Sequence, residues 1–206
     1  MKTERQAQRR QQIEAAAYEV LAEKGYKAAS MLAIAKKASA SNETLYNWYG
    51  NKQTLFRSMV AENARQARQL LNSFEENHDD PLEAVRQLGP VLLRVVTGEK
   101  AVALNRAAVG DVHETGQLGP TIAEAGKRTI APMLAEVFGR ARAEGLLDYD
   151  DREDVAQVYI SLLIGDLQIE RAIGVRSVLD DAEISERSQR AWRLFLKLYA
   201  TDNSGR

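Results

Sequence analysis

The feature that most constrains the fold is the stretch from Ser30 to Phe56, SMLAIAKKASASNETLYNWYGNKQTLF. Apolar residues recur in it at helical spacing in two short segments. The small residues 39–41 (Ser-Ala-Ser) separate the two segments. Ser30 is a favourable N-cap for the first segment, and Ser41 is one for the second. Gly50 ends that second helix, and Asn51 is placed to cap a longer one. The stretch therefore predicts two short helices, a tight turn between them, and a long helix after them.

The remainder of the chain continues this helical pattern. No long alternation of apolar and polar residues, which would predict a β-strand, is present. Prolines at 90 and 132 predict kinks, and the glycine-rich segment 110–119 predicts a loop. Nine helices are predicted, at about 4–24, 31–38, 42–49, 51–76, 81–97, 99–109, 120–143, 151–173 and 181–199.

This layout predicts an all-α protein with two functional domains. Residues 1–50 form a three-helix N-terminal domain that contains the helix-turn-helix, and residues 51–206 form a larger helical domain. The fourth predicted helix, 51–76, links the two. A chain of 206 residues is long enough for one full core and a small additional module.

Several classes of protein find no support in the composition. The chain has no cysteine and only two histidines, His78 and His113, so a disulfide or a thiolate zinc site is impossible and we expect no metal and no cofactor. The longest apolar run, 158–165, is far shorter than the roughly 20 residues of a membrane span. The N-terminus has no apolar run typical of a signal peptide. We therefore expect a cytoplasmic protein with no membrane partner.

Charge is distributed unevenly along the chain. Residues 1–60 contain ten Lys or Arg and five Glu, a net charge of +5, whereas the whole chain has −1 and the remainder therefore −6. A basic N-terminal part on an acidic body favours a polyanionic partner for the first part only. An excess of five charges over 60 residues is modest, so chance remains the alternative.

The third predicted helix has one apolar side and one polar side. Leu45, Trp48 and Tyr49 share the inward side. Asparagine pairs with adenine, glutamate accepts from cytosine, and the threonine methyl group contacts the thymine methyl group, so the polar side suits the major groove. The alternative is a solvated helix start, since these residue types also favour helix caps. The candidate DNA-contacting residues of this helix are Asn42, Glu43, Thr44, Tyr46 and Asn47.

Contacts to the DNA backbone are predicted around this helix. Tyr46 and Asn47 can donate to phosphate, and Lys52 lies in the first turn of the next helix, where free backbone N–H groups also favour an anion. Ser30 lies similarly at the start of the second helix. The first helix adds a basic patch or arm, formed by Lys2, Arg5, Arg9 and Arg10.

The same stretch resembles the N-terminal signature of the TetR family of transcriptional regulators. The signature has Ser or Thr, Ile-Ala, Ala-Gly-Val-Ser, Leu-Tyr, Tyr-Phe, Lys and Leu at fixed spacing. It is matched without a gap by Ser30, Ile34-Ala35, Ala38, Ser41, Leu45-Tyr46, Trp48-Tyr49, Lys52 and Leu55. Two departures are Ser39-Ala40 for Gly-Val and Trp48-Tyr49 for Tyr-Phe. A left-handed backbone at position 39 would cost a non-glycine residue free energy.

The C-terminal part is similar to the C-terminal domain of AefR-like TetR regulators, on ALNRAAVGDVHETGQLGPTIAEAG and AEGLLDYDDREDVAQVYISLLIGD. The resemblance implies that this domain binds a small molecule and forms a homodimer. It also implies a ligand cavity among the helices, although each candidate lining residue also suits an ordinary core. The candidates are Phe74, Leu92, Val95, Leu104, His113, Met133, Phe138 and Tyr159.

A homodimer is also predicted from the residues themselves. The last two predicted helices each have two apolar stripes, whereas a surface helix needs only one. One stripe can pack in the protomer and the other against a partner, which gives a four-helix interface around a two-fold axis. The alternative is a thick monomer core, and the pattern does not distinguish the two stripes. The candidate interface residues are Val155, Val158, Leu162, Ala191, Leu194, Phe195 and Leu198.

Taken with the resemblance, these features predict a ligand-responsive transcriptional repressor that leaves a palindromic operator when a small molecule binds. Binding would move the fourth helix and change the spacing of the two recognition helices. Two other classes remain as alternatives. One is a helical protein–protein adaptor without DNA binding. The other is an all-helical enzyme, for which no nucleophile–base pair or metal motif is present.

Overall fold

The computed structural model describes residues 2–77, 80–127 and 130–201. Within these ranges the chain is all-α, as predicted, and its only β-type pairing is an isolated bridge between Leu147 and Ala200. No helix in the described ranges is long and apolar enough to cross a membrane. The helices are α1 (Lys2–Ala28), α2 (Met31–Lys37), α3 (Asn42–Tyr49), α4 (Lys52–Asn63), α5 (Arg65–Asn77), α6 (Pro81–Thr97), α7 (Glu99–Asp111), α8 (Leu118–Lys127), α9 (Ala131–Ala143), α10 (Arg152–Ile164), α11 (Leu167–Ala172) and α12 (Asp181–Tyr199).

The described ranges contain twelve helices rather than the nine predicted, because three predicted helices are divided. The helix predicted at 151–173 ends at Gly165, where φ is +50°, a left-handed value that glycine readily adopts. The helix predicted at 51–76 breaks between Asn63 and Arg65, with no proline or glycine to mark the place. The helix predicted at 120–143 is divided into α8 and α9. Pro90, in contrast, lies inside α6, which continues past it.

The chain forms two compact units. The N-terminal unit contains Met1–Glu62 and Lys100–Ala125, and the C-terminal unit contains Asn63–Glu99 and Gly126–Arg206. This division differs from the predicted functional boundary at residue 50, because α4, α7 and most of α8 cluster with the first three helices. The break between α4 and α5 falls at the point where the chain first passes from one unit to the other.

The N-terminal unit is built around the inward residues of α1 to α4. Ile13, Ile34, Leu45 and Phe56 are each fully buried there. Leu104 of α7 and Leu118 of α8 belong to the same apolar cluster. The predicted end of the first helix, at about residue 24, coincides with an interruption inside α1, where Gly25 has a non-helical backbone with φ +69°.

The C-terminal unit is centred on an aromatic group formed by α9, α10 and α12. Phe195 is fully buried, and its ring centroid lies 5.0 Å from that of Phe138 and 5.3 Å from that of Tyr159. The rings of Tyr199 and Trp192 lie 5.2 and 5.9 Å from it. These spacings are typical of favourable aromatic pairs. The aromatic group therefore fixes how these three helices pack within the unit.

Candidate nucleic-acid interface

The α2–turn–α3 segment is capped at the start of both helices. Ser30 Oγ accepts a hydrogen bond from Ala33 N at 3.1 Å, and Ser41 Oγ accepts one from Thr44 N at 3.0 Å. Each bond satisfies one of the backbone N–H groups that a helix start leaves without an intrahelical partner. The positions of both caps were predicted from the sequence. They fix where α3 begins and therefore which of its side chains lie in the first turn.

The turn after α2 has the hydrogen bonds of a Schellman motif. Ala40 N donates to Ala35 O at 2.9 Å, and Ser39 N donates to Lys36 O at 3.2 Å. This motif places one residue in the left-handed conformation, and Ser39 has φ +49°, the only positive φ of a non-glycine residue in the described chain. Glycine is usual at this position because a Cβ atom makes the conformation costly. The departure from the family signature at residue 39 is therefore a site of backbone strain.

An arginine from α1 binds the carbonyl groups of this turn. Arg9 Nη2 donates to Ser39 O at 2.6 Å, and Arg9 Nη1 donates to Ala38 O at 3.2 Å and to Gln12 Oε1 at 2.8 Å. The sequence predicts that Arg9 contacts the DNA backbone, whereas in the structure its guanidinium binds the C-terminal end of α2. A cation is favourable at this end because the last carbonyl groups of a helix carry partial negative charge.

The exposed side of α3 is the side predicted from its sequence. Leu45 and Tyr49 are buried, and Trp48 is half-buried, with the Arg10 guanidinium 6.0 Å from its ring. Thr44 is half-buried, and its Oγ1 lies 2.7 Å from Ser41 Oγ, so its hydroxyl group belongs to the helix cap. The predicted contact residues with exposed side chains are Asn42, Glu43, Tyr46 and Asn47.

Lys52 differs from its predicted arrangement. Its Nζ donates to Tyr26 O at 2.8 Å and to Lys27 O at 3.4 Å, and it lies 4.1 Å from the centre of the Tyr26 ring. Burial lowers the pKa of this ammonium group, and the nearby charge of Asp111 partly offsets that effect. Two of its three N–H groups therefore bind the end of α1, and one is left for another partner.

The remaining predicted backbone contacts lie around α1 and α2. Ser30 is exposed at the start of α2, and Arg5 and Arg10 are exposed on α1. The side chain of Lys2 lies outside the described part of the structure. The basic patch of α1 is therefore smaller than predicted, because Arg9 is already bound within the protein.

The buried carboxylate of Asp111 in this unit was not predicted from the sequence. Asp111 is buried, and its carboxylate accepts hydrogen bonds from Thr115 Oγ1 at 2.7 Å, from Gln117 N at 2.9 Å and from Leu118 N at 3.1 Å. Burial alone would raise its pKa, but these bonds and that of Thr115 N lower the pKa below its ordinary value. Asp111 therefore orders the glycine-rich segment and caps the start of α8.

The predicted ligand-lining residues are divided between the two units. Phe74, Leu92, Phe138 and Tyr159 are buried in the core of the C-terminal unit, where Tyr159 Oη donates to Val85 O at 3.0 Å. Met133 packs against this core and Val95 is half-buried. Leu104 belongs to the core of the N-terminal unit, and His113 is an exposed residue of that unit. Within the C-terminal unit, five of the eight candidates thus belong to one core or pack against it.

The predicted dimer residues separate into two sets. Val155, Ala191 and Phe195 are 1%, 1% and 0% exposed, because they pack in the core of their own protomer. Their assignment to a partner-facing surface is therefore corrected. The other four predicted residues stay accessible, with Leu198 at 60% exposure and the rest half-buried. They form the accessible stripe, which consists of Val158, Leu162, Leu194 and Leu198.

No group of three or more His, Asp or Glu residues in the described ranges is arranged to hold a metal ion. His78 lies outside the described residues.

The comparisons with known proteins agree with this architecture. Residues 83–201, more than half of the chain, match the family model described as the AefR-like transcriptional repressor, C-terminal domain. The chain belongs to the TetR family. Residues 13–59 match the model described as bacterial regulatory proteins, tetR family. The matched residues include the helix-turn-helix. This TetR-family protein is thus a DNA-binding transcriptional regulator, and both resemblances seen in the sequence are confirmed.

Three relatives illustrate the similarity. The chain is 28% identical to the HTH-type transcriptional regulator UidR of Escherichia coli (strain K12) over 153 residues, 73% of this chain and 74% of UidR. It is 30% identical to a TetR transcriptional regulator from Agrobacterium tumefaciens, with a TM-score of 0.73 over 95% and 96% of the two chains. It is 25% identical to the Flavonoid-responsive Regulator FrrA, with a TM-score of 0.68 over 95% and 99%.

Proposed function

We propose that this TetR-family regulator is a homodimeric repressor that leaves a palindromic operator when a small molecule binds its C-terminal unit. We further propose that it acts in the cytoplasm, where its DNA partner is, and by regulation rather than catalysis. The observation that carries the proposal is the exposed polar side of α3. Four polar side chains point outward from a short helix whose opposite side is fixed in the core by Leu45 and Tyr49.

In this proposal α3 reads bases from the major groove with its first turn. Asn42 and Glu43 contact base edges, and the methyl group of Thr44 contacts a thymine methyl group while its hydroxyl stays in the helix cap. Phosphate contacts come from the surrounding polar groups, and Lys52 uses the N–H group that the end of α1 leaves available. The residues proposed to contact phosphate are Ser30, Tyr46, Asn47 and Lys52.

The proposed dimer surface is the accessible stripe of α10 and α12. Val158 and Leu162 of α10 and Leu194 and Leu198 of α12 present apolar groups to solvent in the single chain. Burying this stripe against its copy gives a two-fold axis. The two copies of α3 would then read half-sites about 34–36 Å apart, one turn of the double helix.

The proposed effector is a largely apolar, ring-containing molecule. The core of the C-terminal unit contains Phe74, Phe138 and Tyr159, all buried, and such rings can stack on an aromatic guest. FrrA is flavonoid-responsive by its name, which supports the same class here. Because the rings of Phe138 and Tyr159 pack against each other and against Phe195 in this structure, the effector must bind a second packing better than this one. It can shift the balance between the two packings only by that difference in binding free energy.

The proposal is tested by selecting bound duplexes from a random 30-base-pair library and measuring fluorescence polarisation at several salt concentrations. The selected duplexes should share a palindrome and bind at least about a thousandfold more tightly than a scrambled duplex. Lys52→Ala should weaken binding to both duplexes and lower the log–log salt slope by about 0.9. A protein that selects no common sequence would contradict the proposal.

The dimer surface is tested by sedimentation equilibrium. The double variant Leu194→Glu, Leu198→Glu places charges on the accessible stripe, so it should sediment as a monomer at concentrations where the wild type is a dimer. The matched control Ile169→Glu, Ile173→Glu makes the same change at two other exposed apolar residues of the C-terminal unit and should stay dimeric. A dimer that is unaffected by the α12 variant would rule out this stripe.

A further inference from the structure

We infer that Arg9 is a positioning residue for α3, because it holds the α2–α3 turn in the left-handed conformation that Ser39 disfavours. The inference rests on the proposed role of α3 in reading DNA and adds a residue that controls how α3 is presented. Arg9 lies on α1, about 30 residues before the turn in the sequence, and its guanidinium binds the backbone of that turn.

The turn needs support because its geometry and its sequence disagree. The two Schellman hydrogen bonds, from Ala40 N to Ala35 O and from Ser39 N to Lys36 O, require a left-handed residue at position 39. Serine pays a steric cost for φ +49° that glycine does not. Without further contacts, a serine turn exchanges more readily with conformations in which α3 has a different orientation.

Arg9 supplies contacts that only the left-handed turn offers. Its two Nη groups donate to Ala38 O and Ser39 O, the carbonyl groups at the C-cap and at the strained residue itself. Gln12 Oε1, one turn further along α1, accepts from Nη1 at 2.8 Å and orients the guanidinium. A planar fork can bind two adjacent carbonyl groups together, whereas the single ammonium of a lysine is a point donor.

This arrangement makes Arg9 act on DNA through the turn rather than by touching phosphate. If the turn is in the binding-competent conformation for only a fraction of the time, the apparent dissociation constant rises by the inverse of that fraction. The loss of Arg9 should therefore weaken binding without changing the number of phosphates that are neutralised. A glycine at position 39 should restore the turn, because it removes the cost that Arg9 offsets.

The first test uses the free protein and hydrogen exchange measured by NMR at Ala40, whose N–H closes the turn. Arg9→Gln should speed exchange at Ala40 by at least about fivefold, and Arg9→Lys, which keeps the charge, should speed it as well. Ser39→Gly in the Arg9→Gln background should slow it again. Arg5→Gln, a matched loss of charge at an exposed arginine of α1, should leave it unchanged. Unchanged exchange in Arg9→Gln would overturn the inference.

The second test measures binding to the duplex that the wild-type protein selects from the random library. Arg9→Gln should weaken binding about tenfold with an unchanged salt slope, and Ser39→Gly should recover most of the loss. A slope lowered by about 0.9, with no recovery by Ser39→Gly, would make Arg9 a phosphate contact and overturn the inference. If the wild type selects no duplex, the proposed function fails, and exchange at Ala40 still decides whether Arg9 holds the turn.

Discussion

The two units of this protein both have charged side chains at helix ends, but the C-terminal unit also has an aromatic group at its centre. In the N-terminal unit, charged side chains bind the ends of helices: Arg9 at the end of α2, Lys52 at the end of α1 and Asp111 at the start of α8. In the C-terminal unit, the centre is a group of aromatic rings around Phe195. Charged side chains bind helix ends there as well: Arg171 donates to Thr97 O at the end of α6, and Arg187 donates to Leu163 O near the end of α10. These contacts lie outside the aromatic centre.

This difference between the units suggests that the N-terminal unit keeps the orientation of its helices fixed, whereas the core of the C-terminal unit can repack. Hydrogen bonds to helix ends are directional, so they fix the orientation of α3 to within narrow limits. Apolar packing is not directional, and a core can repack around a guest of similar shape at modest cost. The N-terminal unit is thus suited to presenting one fixed surface to DNA, and the C-terminal unit to accommodating a ligand. Substitutions should accordingly change stability most in the C-terminal core and surface geometry most at the N-terminal helix ends.

The largest effect is expected at the centre of the aromatic group. Phe195→Ala removes a fully buried ring and leaves a cavity among Phe138, Tyr159 and Tyr199, so it should lower the free energy of unfolding by about 3–5 kcal/mol. Ile173→Ala, at an exposed residue of the same unit, should change it by less than about 0.5 kcal/mol. Urea unfolding at fixed protein concentration measures both. A loss below about 1 kcal/mol for Phe195→Ala would show that this core is not closely packed.

A smaller loss is expected from the buried carboxylate of the N-terminal unit. Asp111→Ala leaves Leu118 N and the Thr115 hydroxyl without their acceptor and removes the shorter of two bonds of Gln117 N, so the free energy of unfolding should fall by about 2–3 kcal/mol. Asp150→Ala, at an exposed aspartate, is the matched control and should cost less than about 0.5 kcal/mol. Equal effects of the two substitutions would mean that the segment 112–117 is ordered without Asp111.

The same carboxylate predicts a dependence on pH. Its pKa is lower in the folded protein than its ordinary value of 3.8. Its contribution to stability is therefore complete above that ordinary value and is lost as the pH falls from there through the lower pKa of the folded state. The difference in unfolding free energy between wild type and Asp111→Asn should therefore be constant from about pH 8 to about pH 5 and shrink below about pH 4. Denaturant unfolding across this range measures it. A difference that grows in acid would mean that folding raises the pKa of Asp111 instead of lowering it.

The smallest effect is expected at the strained turn, and it is a gain. Ser39→Gly removes the cost of φ +49° and should raise the free energy of unfolding by about 0.5–1 kcal/mol. Ala40→Gly, at the next residue, where φ is negative, should instead lower it by about 0.4–1 kcal/mol, because glycine gives the unfolded chain more freedom. Thermal unfolding of the two variants distinguishes them. Destabilisation by Ser39→Gly would show that the turn is not strained.

Local features of the fold were predictable because they depend on neighbouring residues. Periodicity placed the helices, and Ser30 and Ser41 were recognised as caps because their side chains bind backbone groups three residues away. Gly165 could have indicated the end of α10, but the apolar pattern continues past it and predicted one helix over 151–173. The break after Asn63 had no such signal, since neither glycine nor proline lies there.

The exposed residues of the candidate site could be predicted from the sequence, but the hydrogen bonds that hold the surrounding helices could not. The polar side of α3 follows from a single helix period, so Asn42, Glu43 and Asn47 could be named from the sequence. The partners of Arg9 and Lys52 are backbone carbonyl groups 25–30 residues away in the sequence, and no local pattern shows them. An isolated Asp111 in a glycine-rich segment looks like any loop aspartate until its donors are seen.

Core and binding surface were also indistinguishable in the sequence of the C-terminal unit. Phe195 and Leu198 both lie on apolar stripes of α12, yet the first is 0% exposed and the second 60%. A ligand-lining phenylalanine and a packed one have the same side chain, so only the fold shows that Phe138 stacks on Phe195. This is why the accessible stripe, and not the full predicted set, is the proposed dimer surface.

The most direct test of the account is whether the exposed side of α3 reads bases. Polarisation measures the binding of wild type and Asn42→Ala to the selected duplex and to every single-base variant of one half-site. Wild type should lose about 1–3 kcal/mol at each specified base pair, and Asn42→Ala should lose that discrimination at one position while keeping the salt slope. If Asn42→Ala instead weakens binding to all variants equally and keeps its discrimination at each position, α3 does not read bases through Asn42 as this structure predicts.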